Sequence, residues 1–334
     1  MIKKAMVMAA GVGSRLDPLT KNTPKPLVPV ANLPVMDILL HKLVKYGITG
    51  AIANTHYLGG QIQKRYEKCA PDGLDFRTLF EENLSGTAGG VKKCEFFFEN
   101  EEDFLVLSGD GLHDAPLDKI MESHLKSGCI ATMGVMPVAH EEVCHYGVVV
   151  SEGNIVAEFQ EKPPVELAKS NLINTGIYVF KKRIFDFIPA GEKYDFAKNV
   201  FPSLMEAGEK IHTYQINNYW SDIGTLEQYR QSNFDAIDGK VSIPGFVPVK
   251  ISNAACAVGK NCEIAPDAIL KGRCVLGSNC KIGARAVVED SILWDNVEIA
   301  PNCRIKNCMF AQNSIIDSDY ENETGAFEKM AQTV

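Results

Sequence analysis

Over residues 1–240, short apolar runs alternate with stretches of helical spacing. Residues 5–8, 51–54, 76–80, 104–107 and 130–136 each read as a strand that buries apolar side chains. Between the first two, Val35, Ile38, Leu39, Leu43 and Tyr46 share one side of a helix that Pro34 opens and Gly47 stops. Residues 61–68 and 117–126 repeat the helical spacing. Strands alternating with helices imply an α/β fold whose sheet is covered on both faces. Ligands of such sheets bind beyond the carboxyl ends of the strands. One hairpin departs from the alternation, with residues 146–150 and 155–159 flanking Glu152-Gly153-Asn154. The expected sheet is therefore mixed but mainly parallel.

After residue 240 the period changes. Val258, Ile264, Leu270, Leu276, Ile282 and Val288 recur every six residues, and after a one-residue slip the pattern resumes at Leu293, Ile299 and Ile305. Glycine or alanine follows at Gly259, Ala265, Gly277, Gly283 and Ala300. Four places after the branched residue stands a second small or apolar one: Cys262, Ala268, Cys274, Cys280, Ala286 or Cys303. A hexapeptide repeat of this kind predicts a parallel β-helix stacked coil on coil. The chain thus divides into 1–240 and a β-helical 241–334, whose short acidic tail from Asp317 closes the stack.

Composition narrows the function classes. The 334 residues are 46% hydrophobic and 23% charged, ordinary values for a soluble protein of two domains. No apolar run reaches the roughly 20 residues of a membrane helix, and no signal-peptide pattern opens the chain, so a cytoplasmic protein is expected. A net charge of −8 argues against nucleic acid or anionic membrane as a partner. A phosphate ligand would need local cations or a metal. The ten cysteines of a cytoplasmic chain are expected as thiols, the small buried members of the repeat. The seven histidines show no zinc spacing, and none follows His212.

The chemistry is concentrated where the first strand ends. Ala9, Ala10, Gly11, Val12, Gly13, Ser14 and Arg15 follow it directly, and Pro24-Lys25-Pro26 comes soon after. Glycines permit close backbone approach, and successive N–H groups in such a turn form an anion-binding concavity. Arg15 and Lys25 add positive charge. The run lacks the third glycine of the dinucleotide fingerprint and the Gly-Lys-Ser/Thr of a P-loop.

This run resembles the signature of the sugar-1-phosphate nucleotidyltransferases, which reads small-small-Gly-x-Gly-Ser/Thr-Arg-Leu-x-Pro-Leu-Thr and then Pro-Lys-Pro-Leu. With the repeat, the resemblance covers nearly the whole chain. It implies a Rossmann-like catalytic domain followed by a left-handed parallel β-helix, and synthesis of an NDP-sugar and pyrophosphate from an NTP and a sugar 1-phosphate. Arg15, Lys25, Asp110 and Asp222 are the implied catalytic residues, with Mg²⁺ on the two aspartates. Taken alone, each aspartate could equally cap or fill a turn, and Asp114 could cap the helix after Pro116. The segment from Glu81 through Gly86 and Thr87 corresponds to the part that holds the base. A carboxylate there can accept two adjacent N–H groups of guanine, though Gly86 and Thr87 also suit a plain turn and N-cap. Glu161 and Lys162, a pair that is more often simply solvated, fall at the implied sugar-phosphate site, as do Asn174, Thr175 and Gly176. Glu81 and residues 293–297 look most like mannose-1-phosphate guanylyltransferases. Adenylyl, uridylyl and thymidylyl enzymes share most of the motifs, and a non-catalytic regulatory subunit is a further alternative. Homo-oligomerisation through the β-helix is expected.

Overall fold

The computed structural model describes residues 1–327. The last seven positions, part of the expected acidic tail, lie outside the described residues. Two compact units make up the chain: Met1–Val12 with Leu39–Asp222, and Gly13–Ile38 with Ile223–Val334. This differs from a linear division at residue 240. The turn after the first strand leaves one unit at Val12 and enters the other at Gly13.

The first unit is built on a nine-stranded sheet. Its strands lie in the order Asp75–Phe80, Gly50–Thr55, Lys4–Met8, Asp103–Ser108, Leu172–Lys181, Ala131–Pro137, Ile211–Gln215, Ile155–Glu161, Gly147–Glu152. The first four are parallel, each joined to the next by a crossover as the alternating pattern requires. The other half departs from the expected mainly parallel sheet. Leu172–Lys181 enters antiparallel between Asp103–Ser108 and Ala131–Pro137, and the hairpin adds two further antiparallel neighbours. Neither Leu172–Lys181 nor Ile211–Gln215 stands out as a strand by period. The central strands Lys4–Met8 and Asp103–Ser108 bury apolar runs on both faces, and a chain of ring contacts from Phe98 through Phe104 and Phe180 to Phe196 fills one side. Helices Gly59–Cys69 and Leu117–Ser127 bury Ile62 and Tyr66, and Ile120 and Met121, the faces their spacing predicts.

In the second unit the six-residue period becomes parallel sheet. Ile264 pairs with Ile282, Ile282 with Ile299, and Ile299 with Ile316. The register step shortens from eighteen to seventeen residues where the sequence slips by one. Cys256, Cys274, Cys280, Cys303 and Cys308 are buried in this core, and all ten cysteines are free thiols. The glycines after the branched positions answer to steric need: a Cβ on Gly283 would meet the Pro301 nitrogen of the next strand layer at 2.5 Å. The segment Gly13–Ile38 packs within this same unit.

Candidate functional site

At the carboxyl ends of the central strands, the first unit gathers most of the residues singled out by sequence. The Ala9 N–H donates to Asn54 Oδ1 at 3.0 Å, which fixes the start of the glycine-rich turn to the neighbouring strand end. Asn54 Nδ2 in turn donates to Glu81 Oε1 at 2.6 Å. On the other side of Lys4–Met8, Gly109 N–H donates to the Met8 carbonyl at 2.9 Å, and Ser108 Oγ donates to Asp110 Oδ1 at 2.6 Å. Gly176 packs beside Ser108 with φ +73°. The short strand Leu112–His113 pairs antiparallel with Trp220–Ser221, Ser221 opposite Leu112. Asp222 directly follows Ser221, and Asp110 and Gly111 directly precede Leu112.

The sugar-side segments adjoin this cluster. Trp220 Nε1 donates to the Thr175 carbonyl at 3.0 Å, and the Thr175 hydroxyl is turned away to the Gly134 carbonyl at 2.7 Å. Asn174 Oδ1 accepts from the Gly176 N–H and its amide donates to the Tyr178 hydroxyl, so Asn174 holds the bend of its own strand. Tyr146 lies edge-on to Trp220 at 5.7 Å, and its carbonyl accepts from Lys162 N–H at 3.1 Å. Lys162 itself has φ +48°, an unusual value for a long side chain, immediately before Pro163.

Three expectations change. Glu81 is almost wholly buried, and both of its oxygens are engaged by its own chain. Besides Asn54, it accepts from Lys93 Nζ at 2.9 Å and from the Ser85 hydroxyl and N–H. Burial alone would raise its pKa, but the hydrogen bonds from Ser85, Lys93 and Asn54 outweigh that and lower it. The geometry therefore makes Glu81 a tie between strand ends rather than an acceptor offered to a base edge. Thr87 is not a cap either; Ser85 takes the N-cap position, Gly86 has φ +78°, and the Thr87 hydroxyl donates to Asp195 Oδ2 at 2.8 Å. Asp114 does not cap the helix after Pro116 but pairs with buried Lys42 at 3.0 Å. Thr225, by contrast, does cap Leu226–Ile237, accepting from Gln228 N–H.

Ala10, Gly11 and Glu161 also belong to the first unit, whereas Gly13, Ser14, Arg15 and Lys25 lie in the second. Gly13 has φ +73°, and a Cβ there would lie 2.8 Å from Lys25 Cβ, so only glycine lets the Lys25 stem pack so closely. Lys25 heads the helical turn Lys25–Leu27 and is buried, whereas Ser14 and Arg15 are exposed. The Thr20 hydroxyl lies 2.8 Å from Asp17 Oδ1 and 2.9 Å from the Gly13 carbonyl, so the Asp17 carboxylate faces Thr20. Sequence reasoning missed Asn54, Trp220, Tyr146 and Lys93. Only Asn54 left a signal, as a lone amide ending an apolar run.

Sheet order and the clustered strand ends define an α/β protein of the kind that binds its ligand beyond the carboxyl ends of its strands. Residues 4–238 match the family described as Nucleotidyl transferase, and the chain belongs to that family. Residues 252–325 match a second family, the GMPPB C-terminal domain. Among relatives, a UTP–glucose-1-phosphate uridylyltransferase of Synechocystis is 37% identical over 256 residues, 72% of this chain and 66% of that protein. A mannose-1-phosphate guanylyltransferase of Mycobacterium tuberculosis is 29% identical over 305 residues, 90% of this chain and 82% of that protein. The mannose-1-phosphate guanyltransferase beta-A of Xenopus laevis is 31% identical over 274 residues, 78% of this chain and 74% of that protein. No described helix is long and apolar enough to cross a membrane.

Proposed function

We propose that this protein transfers a nucleotidyl group from GTP to mannose 1-phosphate, giving GDP-mannose and pyrophosphate. The observation that carries the choice of base and sugar is the C-terminal match over residues 252–325, together with guanylyltransferase relatives that extend through that region. A phosphate oxygen of the sugar phosphate attacks the α-phosphorus in line with departing pyrophosphate, so positioning and charge stabilisation supply the rate. Backbone N–H groups of Gly11, Gly13 and Ser14 would hold the triphosphate, with Ala9 and Ala10 leaving room for it. Arg15 would offset charge on pyrophosphate, and Lys25 would meet the α-phosphate. Lys162 would hold the incoming phosphate, with Glu161 and residues 174–176 at the sugar.

Asp110 precedes the strand Leu112–His113 by two residues, and Asp222 directly follows its antiparallel partner Trp220–Ser221. Two hard carboxylates without a third protein ligand suit Mg²⁺, which keeps waters and takes phosphate oxygens; among the described residues no group of three or more potential ligands occurs. When bound, Mg²⁺ would neutralise charge on the reacting phosphates.

The parallel register with steps of eighteen and seventeen residues favours reading the C-terminal unit as a β-helix, which the resemblance makes left-handed, and exposed Ile269 and Ile315 on it favour self-association. Ten free thiols favour a cytoplasmic setting. A second reading, uridylyl transfer to glucose 1-phosphate, is favoured by the 37% identity to the Synechocystis protein. A pyrophosphate-release assay with five NTPs against a panel of sugar 1-phosphates decides between them. Preference for GTP and mannose 1-phosphate is expected; preference for UTP or dTTP overturns the base assignment, and no release with any pair leaves a non-catalytic binding subunit.

A further inference from the structure

The segment Gly13–Ile38 carries Arg15 and Lys25, yet it belongs to the unit of the C-terminal ladder. Its anchors there are directed hydrogen bonds. Ala31 N–H donates to Asn233 Oδ1 at 2.9 Å, and Asn32 Nδ2 donates to the Leu276 carbonyl at 2.8 Å. Tyr229, completely buried, donates its hydroxyl to the Pro29 carbonyl at 2.8 Å and accepts from Trp294 Nε1 at 2.7 Å. Burial raises the Tyr229 pKa, so the phenol keeps the proton it donates. Pro29 lies just beyond the turn Lys25–Leu27, whose first carbonyl accepts from Val28 N–H at 3.1 Å. Lys25 in turn packs on Gly13. A line of contacts thus runs from Trp294 through Tyr229 to the turn that seats Lys25.

Trp294 is out of character for its place in the ladder. Leu276, Leu293 and Phe310 are register partners, so the next positions, Gly277, Trp294 and Ala311, form one column. The large residue stands between two small ones. A cavity of about 120 Å³ lies beside it, lined also by Pro18, Leu19 and Thr23 of the loop segment. Directed hydrogen bonds add to packing there in setting the registration of the segment.

We propose that Tyr229 and Trp294 are positioning residues for the loop bearing Arg15 and Lys25, so that the C-terminal unit takes part in catalysis as well as assembly; the catalytic half of this rests on the nucleotidyl transfer proposed above. Tyr229→Phe keeps the ring and removes both bonds, whereas Trp294→Phe leaves the bond to Pro29. For Tyr229→Phe, kcat is expected to fall about 10- to 100-fold with both KM values within about threefold of the parent, as a misplaced catalytic group would give. Amide exchange without substrate should quicken about tenfold over residues 13–34 and stay at the parental rate in Lys281–Ile282 and Glu298–Ile299. The double variant should be no slower than Tyr229→Phe alone. A kcat within about twofold of the parent, or exchange that quickens equally across the ladder, overturns the proposal. If the parent releases no pyrophosphate with any NTP, the reaction proposed above falls, while exchange at residues 13–34 still decides the positioning. Should Tyr229→Phe fail to fold, Trp294→Phe carries the same measurements with a smaller expected effect.

Discussion

The C-terminal ladder and the segments outside it both use left-handed backbone, but for different ends. In the ladder, Asn261, Asn279, Asn296 and Asn313 have φ between 57° and 64°, and their amides hydrogen-bond one layer to the next. Asparagine tolerates this region, and its repetition spreads the cost over a ladder of bonds. Outside the ladder, the same conformation falls on Ala31, Asn32 and Leu58, on Lys162, and on Ile223 directly after Asp222. A β-branched residue there is a real outlier, costing about 1–3 kcal/mol. Repeated exceptions serve the fold; among the solitary ones, Lys162 and Ile223 sit at or beside residues proposed for chemistry.

Substitutions can break that contrast. Asp222→Asn and Arg15→Ala should each slow turnover by a few hundredfold, about 3 kcal/mol in the transition state, with little change in melting temperature. Measured kcat equal to the parent for both would remove the proposed site. Ile299→Ala in the ladder core should do the reverse, lowering stability by about 3 kcal/mol through a cavity while kcat in the folded fraction stays near the parent. Urea unfolding and steady-state rates on the same preparation separate the two outcomes.

Acid should find the first unit before the ladder. Burial pushes the His113 pKa down to about 3 from an ordinary 6.5. Its Nδ1 accepts from Ala115 N–H, consistent with a neutral ring. Below pH 6.5 the unfolded chain binds a proton that the folded chain refuses, so stability falls as pH drops from 6.5 toward 3. The slope approaches about 1.4 kcal/mol per pH unit for one such group. His113→Gln should flatten the profile of melting temperature against pH; an unchanged profile would move the effect to His124 or His212, whose pKa values burial also lowers. No histidine follows His212, so the ladder has no matching response.

The same contrast explains what could be read from sequence. A period of six is visible because every layer repeats the same packing problem, and even the slip after Val288 reappears as a change of register. Asp110 follows the short apolar run of Asp103–Ser108, so its place at a strand end is legible, whereas Gly176 lies inside Leu172–Lys181 and Asp222 follows a two-residue strand. The internal ties of Glu81 are not legible in sequence because its partners Asn54, Ser85 and Lys93 come from three segments and leave no local pattern. Membership of residues 13–38 in the C-terminal unit is hidden for the same reason, for its anchors Asn233, Tyr229 and Leu276 lie some two hundred positions away or more.

The smallest expected effect tests the ladder's own device. Asn296 has φ +60°, donates from Nδ2 to Asn313 Oδ1 at 3.0 Å and accepts from Asn279 Nδ2 at 3.0 Å. Asn296→Gly keeps the backbone conformation at little steric cost and removes both side-chain bonds. Asn296→Ala removes the bonds and adds the penalty of a Cβ in left-handed backbone, about 1 kcal/mol. If the backbone sets the choice of residue, alanine should destabilise by about 1–2 kcal/mol and glycine by clearly less. Equal losses would assign the stability to the exposed amide ladder, where each bond contributes about 0.5–1 kcal/mol. Because the cost is shared along the stack, neither variant should alter kcat, and a change in turnover from either would break the division between repeated and solitary exceptions.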